Sequence, residues 1–146
     1  MGLFDKILGG SNTTTLSKPE AFAGVMLAAI AADGHISEEE AAGFNAVISR
    51  MRIFQAQSGA EHKTMIDKLF GILKRNDAGH LLTKSAEALP SELREAAFAV
   101  VADLIFADGS VEDEEKALLE SMQKKLEVPD ELALQVVRVM EIKNRN

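Results

Sequence analysis

An all-α fold, one helical domain holding two pseudo-equivalent helix–turn–helix repeats, is predicted by three features of the 146-residue chain. Apolar residues recur at steps of three and four along most of it, and no stretch alternates apolar with polar over a β-branched run. The helix-starting pattern Ser-x-x-Glu occurs at Ser17/Glu20, Ser37/Glu40 and Ser58/Glu61. An Ala-Asp-Gly turn occurs twice, at Ala32-Asp33-Gly34 and at Ala107-Asp108-Gly109, and a motif repeated at long period marks repeated structural units.

The first sixteen residues form a short amphipathic start and a linker, and residues 17–146 form the helical domain. Leu3, Phe4, Ile7 and Leu8 share one helical face, and residues 9–15, Gly-Gly-Ser-Asn-Thr-Thr-Thr, read as a flexible connector. The expected role of residues 3–8 is packing back on the domain, because one Lys gives no basic face; contact with a membrane surface is the alternative. Ser17 and Glu20 then box the start of a helix, with Pro19 inside its first turn, that stops at the glycine of Asp33-Gly34. Ser37 caps a second helix reaching to about Arg52. Ser58 and Glu61 open a third, with Met65, Leu69, Ile72 and Leu73 as its apolar stripe. Residues 76–79 break the chain before a short helix over residues 81–89. Ser91 caps a helix to Ala107; another follows over about residues 113–126, and Pro129-Asp130 opens the last, with Leu132, Val136, Val137 and Met140 facing inward.

Composition narrows the function. The absence of Cys excludes disulfides, thiolate nucleophiles and zinc–thiolate sites, and fits a reducing cytoplasm. No run approaches the ~20 apolar residues of a membrane span, and the start lacks a basic signal region. A net charge of −7 opposes nucleic-acid binding, which needs clustered cations. His35, His62 and His80 share no metal-binding spacing, and the Ser and Thr residues map to caps and the connector, so no catalytic centre is expected and the chain is read as non-enzymatic.

A shift of 75 residues superimposes the two turns. Val25 falls on Val100, Ile30 on Ile105, Glu39-Glu40 on Glu114-Glu115 and Ala42 on Ala117. The helix before each turn carries small residues in line, Ala21, Gly24, Ala28 and Ala32 in one copy and Ala96, Ala99 and Ala107 in the other, so the two are expected to lie close together. Asp103 interrupts the second stripe and must be paired, exposed or coordinating.

Each copy reads Asp-Gly-x-(Ile/Val)-x-x-x-Glu, the second half of a calcium-binding EF-hand loop. The first ligand positions of such a loop fall on Ala29, Ala31, Leu104 and Phe106, which cannot coordinate an ion. Two readings stand. Glu40 belongs to a capping box with Ser37, and acids in a first turn suit the helix dipole; Glu112 replaces the Ser in the second copy, so capping explains Glu115 less well. Alternatively Asp33, Glu40, Asp108 and Glu115 converge on a divalent cation, calcium or magnesium, with Asp103 as a further acid.

The paired Ala-Asp-Gly-x-(Ile/Val)-x-x-x-Glu turns, each after an Ala-rich helix, resemble the bacterial tellurite-resistance TerB-like family, related to the N-terminal domain of some membrane-anchored J-domain co-chaperones. The resemblance spans residues 17–140. It implies a compact domain of seven or eight helices, metal binding at the acidic positions Asp33, Glu40, Asp108 and Glu115, and a part in stress responses or in protein assemblies near the membrane. Protein partners are therefore expected. A thiol-based tellurite reductase is excluded by the lack of Cys.

Overall fold

Ten consecutive residues of the first helix, from Ala21 to Ile30, are buried, so α1 (Lys18–Ile30) is covered on every side. A helix apolar all round belongs at the centre of a helical domain. The structure is a computed structural model and describes residues 15–32, 36–107, 109 and 111–145. The apolar start at residues 3–8 and most of the connector lie outside the described residues. Leu16, placed ahead of the helical domain from sequence, is buried in the core, so the packed domain begins at least one residue earlier than the capping box.

The capping predictions hold at three helix starts. At α1, Ser17 Oγ accepts the Glu20 N–H at 3.3 Å while Glu20 Oε1 accepts the Ser17 N–H at 2.9 Å. The same reciprocal pair opens α2 (Glu38–Arg50) and α4 (Gly59–Arg75). Among the described residues eight helices form and no strand, the all-α fold expected. The other four are α5 (Ala78–Glu87), α6 (Ser91–Phe106), α7 (Asp113–Lys125) and α8 (Asp130–Lys143), with the single turn α3 (Arg52–Gln55) between α2 and α4.

Three local expectations need correction. The second helix does not run on to Arg52: Met51 takes an extended conformation, φ −81° and ψ 136°, which ends α2 and starts α3. Its side chain and that of Ile53 pack against the core, and Phe54 is buried there with its ring edge-on to Phe22 at 6.1 Å. Tertiary burial of Phe54 outweighs local continuity. The expected break over residues 76–79 is shorter, because Asp77 Oδ1 accepts the His80 N–H at 2.8 Å and so caps a helix that already includes Ala78 and Gly79. Ser91 does not cap α6; Pro90 holds the N-cap position, in the extended conformation that its ring favours.

Around α1 pack α2, α3, α4, α5 and α6. α1 packs most extensively on α5, then on α6, and also touches α4 and α2. The expected proximity of α1 and α6 is therefore found, but the tightest point of the small-residue stripe is used elsewhere. A Cβ on Gly24 would sit 2.2 Å from Ser85 Oγ of α5. α8 lies at the edge of the bundle, packed chiefly on α6. Between α7 and α8, Glu127 takes a left-handed φ of 56°. The N–H of Val128 reaches the Gln123 carbonyl at 3.0 Å and that of Glu127 reaches Lys124 at 3.1 Å, a Schellman ending built without glycine.

An acidic cleft between two helix starts

α2 begins at Glu38 and α7 at Asp113, the 75-residue offset read from the repeat, and each has 13 residues. Both start with acids because a helix N-terminus presents unpaired N–H groups and the positive end of the peptide dipoles. At α2, Ser37 Oγ accepts the Glu40 N–H at 3.1 Å and Glu40 Oε1 accepts the Ser37 N–H at 3.0 Å. At α7, Glu115 Oε1 accepts the Glu112 N–H at 3.0 Å, while the Glu115 N–H bonds the Glu112 carbonyl at 3.0 Å. The sequence suggested that capping explains Glu115 poorly, for want of a Ser. The structure corrects this: the reach-back bond needs only the carboxylate and the N-cap backbone, and Glu115 makes it as Glu40 does.

The two starts border one cleft of about 650 Å³. Its floor is apolar, made by Ala29 and Ile30 at the end of α1, Leu104 and Ile105 near the end of α6, and Leu118 of α7. Its rim carries Glu39 and Glu40 from one side and Glu112, Glu114 and Glu115 from the other. Glu39, Glu112 and Glu114 are exposed, whereas Glu40 and Glu115 are half-buried. No Lys or Arg is among the described residues that line it. With five like charges and no counter-charge among the described lining residues, the cleft concentrates negative potential over a low-dielectric floor, which strengthens attraction for any cationic group.

Of the positions singled out from sequence, Glu40 and Glu115 are thus brought to one place. Asp33 and Asp108 lie outside the described residues, as does His35. Asp103 is elsewhere, tying α6 to the end of α8: its Oδ1 accepts from Lys143 Nζ at 3.1 Å and from Asn144 Nδ2 at 2.9 Å. The sequence required Asp103 to be paired, exposed or coordinating, and it is paired. His62 and His80 stand in the first turns of α4 and α5, away from the cleft. Among the described residues no three His, Asp or Glu side chains are grouped so as to hold a metal ion. Glu39 and Glu114 gain a place at the site that their sequence role as dipole-favouring acids did not give them. Their match under the 75-residue shift was the available signal.

Glu20 lies at the far end of α1 from the cleft. Burial pushes Glu20 up, but the Ser17 N–H and the Lys68 ammonium 3.0 Å away outweigh it and hold its pKa below the usual value. Lys68 Nζ also donates to the Thr15 carbonyl at 3.0 Å, so this cation is anchored at the start of α1, while the cleft lies at its end.

The chain gave no match when compared with protein-family models, curated proteins and solved structures.

Proposed function

We propose that this chain is a non-enzymatic protein-interaction adaptor of the stress-associated, TerB-like kind, whose acidic cleft receives a basic, apolar-anchored segment of a partner protein. One observation carries the reading: the acids of both helix starts line a single apolar-floored cleft with no basic residue at its rim among the described residues. An apolar floor supplies burial energy, and the acidic rim steers cationic partners and rejects acidic ones. Binding rather than catalysis is supported by the state of the polar groups. Ser37 Oγ is engaged with the Glu40 N–H, and Glu40 and Glu115 each hold an N-cap N–H.

A second reading has its own support. Glu40 and Glu115 each use Oε1 for capping, so Oε2 of each is left for a divalent cation, as the resemblance implies. Calorimetric titration separates the two. An amphipathic Lys/Leu helical peptide is expected to bind with micromolar affinity that falls as salt rises, and a Glu39→Lys/Glu114→Lys variant should lose the binding. Failure of the peptide to bind the wild-type domain would refute the adaptor reading. Heat on adding Ca²⁺ or Mg²⁺, abolished by Glu115→Gln, would establish the cation reading instead.

A further inference from the structure

Every described residue that lines the acidic cleft has its counterpart, 75 positions along the chain, lining the cleft as well. Ile30 and Ile105 are both buried, Glu40 and Glu115 both half-buried, and Glu39 and Glu114 both exposed. Glu40 and Glu115 also make the same bond, each Oε1 accepting an N-cap N–H at 3.0 Å. Ala29 against Leu104 and Ser37 against Glu112 differ in residue and in exposure, and Gly43 against Leu118 in residue alone.

Floor residues from the two sides touch. A Cβ on Gly43 of α2 would stand 3.0 Å from Leu104 Cδ2 of α6. The carboxylates stand along two sides of one apolar floor, and among the described residues no three of them gather at a point. A compact cation seated on one rim leaves the acids of the other without a counter-charge, and their mutual repulsion remains. A ligand with a cationic group for each rim and an apolar part between them relieves both rims and covers the floor.

We propose that the cleft is a pair of like half-sites, and that the partner segment is an amphipathic helix with a cationic residue on each flank of its apolar stripe, one for each half-site. This rests on the adaptor reading and narrows the partner that the cleft takes. An amphipathic helix carries polar side chains along both edges of its apolar stripe, which suits two rims about one floor. A segment cationic on one flank alone fills one half-site and leaves the other bare. It has two ways to seat, one for each rim, alike apart from the extra carboxylate of Glu112.

Calorimetric titration of the full chain with two helical Lys/Leu peptides of equal net charge reads this. One peptide has Lys on both flanks of its Leu stripe, the other on one flank only. The two-flank peptide should bind about tenfold more tightly. Glu112→Ser gives both rims the same acids, and Ser is the residue that caps α2 at the matching position, so the helix start is kept. In that background Glu39→Lys or Glu114→Lys alone should weaken the two-flank peptide about tenfold. The one-flank peptide should lose about twofold, since one of its two seats remains, and the two substitutions together should abolish binding of both peptides. If neither peptide binds the wild-type chain, the adaptor reading fails and the half-sites with it. If the one-flank peptide binds the wild-type chain at least as tightly as the two-flank peptide, the half-sites are overturned while the adaptor reading stands. Equal losses for the two peptides from a single substitution also overturn them, because a general acidic field acts on both alike.

Discussion

Replacing Gly24 by Ala tests the closest approach in the core. Gly24 faces α5 across the most extensive helix contact of the bundle. An added Cβ would stand 2.2 Å from Ser85 Oγ, 3.3 Å from Ser85 Cβ and 3.5 Å from Leu69 Cδ2. Ser85 is fully buried and its Oγ has no hydrogen-bond partner among the described residues, so a new methyl must displace a hydroxyl inside the core and press on the Cβ behind it. Overpacking of this kind costs about 1–3 kcal/mol, against a helix-propensity gain of about 1 kcal/mol for Ala over Gly. Gly24→Ala should therefore destabilise by about 1 kcal/mol net. Ser85→Ala removes the obstructing oxygen and an unpaired buried hydroxyl whose burial costs about 1–3 kcal/mol, so it should be neutral or stabilising. In that background the nearest atom to the new methyl is the Cβ retained at the substituted position, tight but tolerable, and Gly24→Ala should cost nothing. Urea unfolding of all four species completes a double-mutant cycle, with a coupling of about 1–2 kcal/mol. Equal costs for Gly24→Ala in both backgrounds would show that Ser85 Oγ is not the obstacle. A markedly destabilising Ser85→Ala would show that the hydroxyl is bonded.

Two further perturbations follow from the ends of helices. The folded pKa of Glu20 lies below its usual 4.5, so its contribution to stability is present above that pH and lost as pH falls through the folded value. Glu20→Gln should be less stable than wild type at neutral pH, with the difference vanishing in acid, as pH-dependent thermal unfolding would show; a difference that persists in acid would remove the ionised carboxyl as its cause. Glu127→Gly should stabilise by about 0.5–1 kcal/mol, because glycine takes the left-handed φ of 56° without strain. The lost ion pair with Arg94, at 3.4 Å from a largely exposed carboxylate, offsets little of this, and a lowered urea midpoint would contradict the assignment.

Helix existence was legible in the sequence wherever the signal is local. Ser17, Ser37 and Ser58 each have Glu three residues on, and each makes the bonds that the spacing dictates. Non-local effects were not legible. Nothing within a few residues of Met51 ends α2; the pull of Phe54 into contact with Phe22 does, and Phe22 is on another helix. Asp77 was read within a break, since a carboxylate beside Asn76 suits a loop as well as an N-cap. The small-residue stripe of α1 foretold a close approach, but spacing alone does not name the partner helix, and Gly24 meets α5 rather than α6. For the cleft, the 75-residue sequence match set Glu40 against Glu115. That they border one cavity depends on how α1 and α6 carry the two starts to the same end of the bundle.

On the adaptor reading proposed above, the capping role of these acids would support a binding role. A carboxylate held by an N-cap N–H gives up side-chain freedom when the helix forms, so a cationic partner that meets it later does not bear that entropy cost again. Glu40 and Glu115 are both held in this way through Oε1. Their second oxygens therefore have fixed positions at the half-buried base of the rim, while exposed Glu39, Glu112 and Glu114 add longer-range attraction. Such an arrangement separates two effects by depth. On that reading the exposed acids would set the rate and salt dependence of encounter, and the held pair would set orientation once water has left the apolar floor. Charge reversal at Glu39 and Glu114 consequently bears on encounter without touching either cap. Changes at Glu40 or Glu115 bear on helix stability and orientation together, and for that reason the outer acids are the cleaner probes of binding.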